Sequence, residues 1–218
     1  QLSNYNKVVL QRNKLLKELY LHPDYREVLD VLDMQLVQYG SALIQRRQTF
    51  AEELGEIVHR IHSQLSGGQE EMELKYEPNV TVDAFAQMLF ANRERDMRLK
   101  TTATGPHRDD ISFVVNGVDI RKFGSQGQQR TAALSLKLSE IELVKRLIGD
   151  TPVLLLDDVL SELDSGRQNY LLNSIENIQT LITCTGLDEF VNHRFSINRI
   201  YKVTDGSVTV ENKQEADR

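Results

Sequence analysis

Nowhere does the chain spell Gly-x-x-x-x-Gly-Lys-Ser/Thr, the loop whose amides and lysine cradle the β- and γ-phosphates of a nucleotide. On its own residues it is expected to bind a nucleoside triphosphate weakly or not at all. A single cysteine, Cys184, excludes an internal disulfide and fits a reducing compartment. It sits in Thr180-Leu181-Ile182-Thr183-Cys184-Thr185, a strand-like run in which a packing role is expected rather than a nucleophilic one. No stretch approaches the roughly twenty apolar residues needed to cross a bilayer, and the first residues show no charged-then-apolar leader. No membrane partner and a cytoplasmic setting are therefore expected. Excess positive charge is absent too. A net charge of -6 argues against a wholly basic nucleic-acid binder, because nonspecific affinity comes from lysines and arginines that neutralise phosphates. Cations do gather at Arg93, Arg95, Arg98, Lys100, Arg108, Arg121, Lys122 and Arg130, but Glu94, Asp96, Asp109, Asp110 and Asp119 lie among them. A solvated mixed-charge face is the first reading and a nucleic-acid track the second. Aromatic platforms for base stacking are few here, Phe113 and Phe123.

What is present begins with helix. Leu29, Leu36, Leu43, Phe50 and Ile57 recur every seven residues, with Leu32, Tyr39, Leu54 and Ile61 filling the same stripe. This predicts an amphipathic helix over about residues 24–64, roughly 60 Å long. His22-Pro23-Asp24 breaks the chain before it, and Tyr5 to Leu19 form a shorter helix able to pack back antiparallel. Residues 1–70 are thus a helical arm, and 71–218 turn to mixed strands and helices. Strands are expected at Glu73–Tyr76, Ile111–Val115, Val118–Ile120, Thr180–Thr185, Arg199–Thr204 and Ser207–Glu211. Helices are expected at Val82–Arg98 and Gly166–Ile178, a tight hairpin at Asn116-Gly117, and frayed residues from Asn212 to Arg218. His59 and His62 lie three apart on the long helix without a cysteine or carboxylate set to complete a metal site, so a polar helix face is expected there.

The chemistry concentrates between residues 124 and 164. Val153 to Leu156 have the aliphatic character of a parallel strand covered on both faces, and such strands deliver functional groups at their carboxyl end. Asp157 and Asp158 sit there. In P-loop ATPases the first acid of this element holds Mg²⁺, usually through water, and an adjacent acid polarises the attacking water. Asp157 is accordingly the metal residue and Asp158 the catalytic one; taken alone, the pair is equally a solvated strand end. Upstream, Phe123-Gly124-Ser125-Gln126-Gly127-Gln128-Gln129-Arg130 forms a glycine-containing turn feeding a helix with Leu134, Leu138, Ile141 and Leu147 on its buried face. Exposed amides and the positive dipole end at such a helix start make an anion site, to which Ser125 adds a hydroxyl and Arg130 a charge.

Gly124-Ser125-Gln126-Gly127-Gln128 resembles the Leu-Ser-Gly-Gly-Gln signature of the ABC superfamily, with Gln126 in place of the first glycine. The longer string Gly124 to Leu138, with Gly105-Pro106-His107-Arg108-Asp109-Asp110 and Leu154 to Asp164, is similar to the RecF family of bacterial recombinational repair ATPases. Gln11-Arg12-Asn13 and the helical stretch after it agree more loosely. Leu65-Ser66-Gly67-Gly68-Gln69 spells the ABC consensus outright, but Glu70, Glu71 and Glu73 would repel a phosphate, and Met72, Leu74 and Tyr76 then alternate as in a strand. An ordinary turn is expected there.

The resemblance implies an α/β fold, the carboxyl-terminal lobe of an ABC-type P-loop ATPase, with a short antiparallel helical arm. It also implies that the sequence is part of a longer protein whose phosphate loop lies nearer the amino terminus. ATP and Mg²⁺ are the implied cofactors. Ser125, Gln126, Gly127, Gln128 and Arg130 of one subunit would cover the γ-phosphate held by another, with Asp164 of the D-loop passing between the two. Implied partners are a second copy joined through ATP, single-stranded, gapped or junction DNA, and recombination mediators that load a recombinase during repair and replication restart. The implied setting is the bacterial cytoplasm, at the nucleoid. Alternatives are another ABC-type repair or chromosome-maintenance ATPase head, a non-hydrolysing nucleotide-dependent DNA scaffold and, more remotely, a transporter ATPase subunit. The histidine that contacts the γ-phosphate in many ABC ATPases is replaced by Thr183 and Thr185, and His193 lies too far along for that role. Gly105-Pro106 predicts a turn; the resemblance makes His107 and Arg108 part of a functional loop near the nucleotide or a domain seam.

Overall fold

A computed structural model describes residues 1–19, 22–185 and 197–211. His193 and Asn212 to Arg218 lie outside them. The chain forms two compact units, Gln1–Gly149 and Asp150–Arg218.

In the first unit, α1 (Leu2–Glu18) lies antiparallel on the first half of α2 (Arg26–Leu65). Leu15, Leu16 and Leu19 meet Leu29, while Tyr5, Val8 and Val9 share a core with Leu36 and Ile44. The predicted seven-residue stripe holds at Leu29, Leu36 and Ile57, but Leu43 is half-buried and Phe50 exposed. Ile44 and Ala51, one residue further on, are buried instead. A straight helix with 3.6 residues per turn drifts by about 20° per heptad, so a strict seven-residue seam rotates off its neighbour within a few turns. Gly40 marks the closest approach along this seam. A Cβ there would overlap the Phe85 ring, which accounts for a glycine inside a helix despite its cost of roughly 0.5–1 kcal/mol relative to alanine.

The second half of α2 carries an antiparallel sheet in the order β1 (Met72–Glu77), β2 (Asp110–Val115), β3 (Val118–Asp119), with Asn116-Gly117 as the hairpin turn, both at positive φ. Between β1 and β2 the single predicted helix is two, α3 (Val82–Ala91) and α4 (Arg93–Leu99). The chain leaves helical geometry at Asn92, whose side-chain amide donates to Thr104 Oγ1 at 2.9 Å. Ile120 starts a short helix, α5 (Ile120–Phe123), rather than ending β3. The long α6 (Gln126–Ile148) follows and stops at Gly149 in the left-handed region. Leu134 and Leu138 are buried as expected, whereas Leu147, in the final turn, is 65% exposed.

A buried polar cluster ties these helices together. Arg12 is fully buried; its Nε donates to Asp33 at 2.6 Å and one terminal nitrogen donates to Asp96 at 2.7 Å and to Thr102 at 3.0 Å. Asn13 accepts from the Thr102 amide and hydroxyl, both at 2.7 Å. Helices α1, α2 and α4 and the loop after α4 thus converge on one guanidinium.

The second unit is built on a parallel pair, β4 (Leu154–Asp157) and β5 (Thr180–Thr183), joined through α7 (Ser165–Ser174). Leu156, Leu160, Leu171, Leu172, Ile175 and Ile178 are its buried residues. The expectation that β4 is covered on both faces does not hold among the described residues: Val153 and Leu155 are exposed, because the pair has α7 and its flanking turns for cover but no further strand beside it. β6 (Ile200–Thr204) and β7 (Ser207–Glu211) form a separate hairpin turning at Asp205-Gly206, again both at positive φ.

Candidate functional site

Asp157 is the last residue of β4, exposed at its carboxyl end, and pairs in register with Thr183 of β5. The Thr183 hydroxyl donates to Asp157 Oδ1. This ties one oxygen of an exposed carboxylate to the neighbouring strand. Asp158 follows at φ +51°, a conformation that turns the chain sharply away from the strand. Its amide donates to the Thr183 carbonyl and to Thr183 Oγ1, each at 3.1 Å, and its carbonyl accepts from Ser161 Oγ at 2.8 Å. The two acids are thus held by backbone and hydroxyl groups, with both carboxylates at the surface. An oxygen donor with a free lone pair at a strand end is the chemistry that Mg²⁺ favours, since it keeps several waters and takes few protein ligands.

Asp164 plays a local part. Its carboxylate caps α7, accepting from the Arg167 amide at 3.0 Å and pairing with the Arg167 side chain. The amide hydrogen bond, with the arginine charge, holds this carboxyl below the usual aspartate range.

The signature turn is a reciprocal helix cap. Ser125 Oγ accepts from the Gln128 amide at 3.2 Å, and Gln128 Oε1 accepts from the Ser125 amide at 3.1 Å. The Ser125 hydroxyl proton is not used in that cap, and the Gln126 and Gly127 amides open a helix of 23 residues. Ser125, Gln126, Gly127 and Arg130 are exposed. A Cβ on Gly127 would meet only Ser125 Oγ, at 3.9 Å, so the approach to these amides is open. Gln128 differs: its side chain is occupied by the cap and by a 2.9 Å bond from Nε2 to Glu70.

The Gly105–Asp110 loop is a structural clasp. His107 Nε2 lies 2.9 Å from the Thr102 carbonyl, so it carries the proton, and Nδ1 accepts from Tyr5 Oη at 2.7 Å. Burial, chiefly, lowers the His107 pKa from its ordinary value and raises that of Tyr5. Asp109 accepts from Arg47 at 2.9 Å, from the Tyr76 hydroxyl and from the Asn79 amide at 2.9 Å, and Arg47 also reaches the Pro106 carbonyl. Gly105 has φ +133°, and a Cβ there would overlap Tyr5 Oη. Arg108 alone of this segment's His-Arg-Asp run is exposed. The basic segment is likewise interleaved: Arg93 pairs with Asp30 and Asp33, Arg121 with Asp110 and Lys122 with Asp119.

No protein-family model matches the chain. It is 58% identical over 213 residues to the DNA replication and repair protein RecF of Lachnospira eligens, covering 97% of this chain and 59% of that protein. It is 58% identical over 209 residues to RecF of Agathobacter rectalis, covering 96% and 58%. The chain belongs to the RecF family. A solved structure of the recombination mediator protein RecF with ATP in the RecFOR pathway superposes with a TM-score of 0.83 at 32% identity, covering 97% of this chain and 57% of that one. Its RecF-ATPrS counterpart gives 0.81 at 33%, covering 96% and 57%. The chain therefore spans less than two thirds of the length of the RecF proteins it matches.

Within this RecF-family chain, the Leu65–Gln69 string is a turn, with Gly67 and Gly68 at positive φ closing α2 ahead of β1. The expected polar helix face holds at His59, which is exposed, and fails at His62. His62 is fully buried, 2.9 Å from Ser135 Oγ, and His59 Nδ1 lies 3.2 Å from the Met72 carbonyl. Among the described residues no helix is long and apolar enough to cross a membrane. Of Thr183 and Thr185, which stand where many ABC ATPases carry a histidine, Thr183 is tied to Asp157 and Asp158 through the parallel register of β4 and β5, which local pattern does not encode.

Proposed function

We propose that this chain supplies the acidic strand end and signature turn of a DNA replication and repair ATPase that dimerises around ATP. The observation that carries the reading is the exposed Ser125 cap. Its oxygen is fixed by the Gln128 amide while its proton and the amides behind it remain available to an anion. In this reading residues 1–70 act as the arm and 71–218 as the ATPase lobe, a functional division distinct from the two compact units.

Asp157, with water, would hold Mg²⁺, which when bound neutralises charge on the phosphates. Asp158 orients and polarises the attacking water. Ser125 donates to a γ-phosphate oxygen of the nucleotide held by the partner copy, with the Gln126 and Gly127 amides and Arg130 beside it. Asp164 keeps the D-loop in shape through α7. Loss of the γ-phosphate removes those contacts and opens the dimer, which converts nucleotide state into a grip on single-stranded, gapped or junction DNA. Recombination mediators would act on that DNA-bound state; the solved RecF structures are themselves described as a recombination mediator protein in the RecFOR pathway.

The test is Asp158→Asn in the full-length protein. ATP hydrolysis should fall by two or more orders of magnitude while the ATP-bound dimer accumulates. Unchanged hydrolysis would exclude Asp158 as the water-orienting acid.

A further inference from the structure

The turn that imitates the signature motif leads directly into a residue that holds the true one. Glu70, which follows Leu65–Gln69, has its backbone fixed by Ser66: its amide donates to Ser66 Oγ at 3.2 Å, and Ser66 Oγ donates to its carbonyl at 3.3 Å. From there its carboxylate reaches in two directions. Oε1 accepts from Gln128 Nε2 at 2.9 Å, and Oε2 lies 3.2 Å from Nε2 of His62. His62 has no exposed surface and sits in the last turn of the arm helix α2. Ser135 Oγ donates to the Thr131 carbonyl at 2.7 Å and lies 2.9 Å from His62 Nδ1. The ring is thereby fixed to α6 on one side and to Glu70 on the other.

These contacts join into one chain: His62, Glu70, Gln128, Ser125. We propose that Glu70 is a positioning residue of the signature turn. It holds the Gln128 amide group so that its oxygen faces the Ser125 amide, and the end of the arm helix and the nucleotide-facing cap move as one hydrogen-bonded unit. Resting on the proposed function, this assigns a route by which displacement of the arm changes how Ser125 meets ATP. The charge on Glu70 is the reason for the choice of atoms: hydrogen bonds to an ionised acceptor are shorter and stronger than neutral ones, and both oxygens are engaged.

The experiment uses the full-length protein, with two readouts. The first is hydrogen–deuterium exchange without nucleotide. Glu70→Ala should speed exchange of the two capped amides, Ser125 and Gln128, by about tenfold, the loss of one charge-assisted hydrogen bond, while the rest of α6 is unchanged. The second is the ATP concentration for half-maximal dimerisation, which Glu70→Ala and Gln128→Ala should each raise about tenfold and the double variant no further. Glu70→Gln keeps an oxygen for Gln128 without the charge and should restore both readouts in part. Gln128→Ala leaves the buried His62–Glu70 pair intact, so it reports on the turn even where Glu70→Ala folds poorly. Unchanged exchange at the Ser125 and Gln128 amides, or effects of the two single variants that multiply in the double, overturns the positioning role. A wild type that responds to ATP while Glu70→Ala responds identically overturns the coupling alone; a wild type indifferent to ATP overturns the proposed function and the coupling with it.

Discussion

Thr183 and Asp157 face each other across the parallel pair β4–β5, and the threonine hydroxyl donates to the carboxylate. The same threonine accepts the Asp158 amide on its hydroxyl and its carbonyl. One side chain therefore orients both acids. Thr183→Val preserves shape and removes the hydroxyl. Groups that orient metal-binding carboxylates affect metal affinity or activity by about 10–100-fold when lost. ATP hydrolysis by the full-length variant is expected to fall within that range, with a rise in the Mg²⁺ concentration needed for half-maximal rate and little change in the urea midpoint. A variant with wild-type Mg²⁺ dependence would show that Asp157 needs no such support.

Arg12 is the point at which α1, α2 and α4 meet, and it is buried with two carboxylates, Asp33 and Asp96. Removing one partner from a buried ion pair leaves uncompensated charge, at a cost of about 3–5 kcal/mol. Arg12→Leu should lose stability on that scale by urea denaturation, and Arg12→Leu with Asp96→Leu should lose less than the sum of the two single variants. Additive losses would mean that the cluster is not energetically coupled.

His107 gives the clasp a pH dependence. Its Nδ1 must stay unprotonated to accept from Tyr5, and burial, reinforced by the Arg108 charge against the pull of Asp109 and Asp96, lowers its pKa. A histidine whose folded pKa lies below its unfolded value of about 6.5 binds fewer protons when folded, so its contribution is complete above that pH and is lost as pH falls below it. Urea midpoints measured between pH 8 and pH 5 should decline through that window in the wild type and decline less in His107→Gln. Parallel curves for the two proteins would place the titration elsewhere.

Much of this molecule was legible where the physics is local. The 40-residue α2, the Asn116-Gly117 hairpin, the acidic end of β4 and the glycine-containing turn that feeds α6 each announce themselves within a few residues, through periodicity or turn chemistry. Glu70, Glu71 and Glu73, with the alternation of Met72, Leu74 and Tyr76, mark Leu65–Gln69 as an ordinary turn, and the Glu70 carboxylate is committed to Gln128 and His62. What stayed hidden depends on partners far away in sequence. His62 is separated from Ser135 by 73 residues, and Arg12 from Asp96 by 84. A histidine on a helix or an arginine before an asparagine has no local signature of burial. The break at Asn92 was missed for the same reason, since it depends on Thr104. The closing strands expected at Arg199–Thr204 and Ser207–Glu211 are there as β6 and β7, turning at Asp205-Gly206.

The central claim is that Ser125 caps the nucleotide of a second copy. Light scattering of the full-length protein, with and without ATP and DNA, beside a Ser125→Arg variant, tests it most directly. The account predicts that mass doubles on addition of ATP and that the variant remains a monomer under the same conditions. A mass indifferent to ATP, or a variant that dimerises as the wild type does, would contradict it.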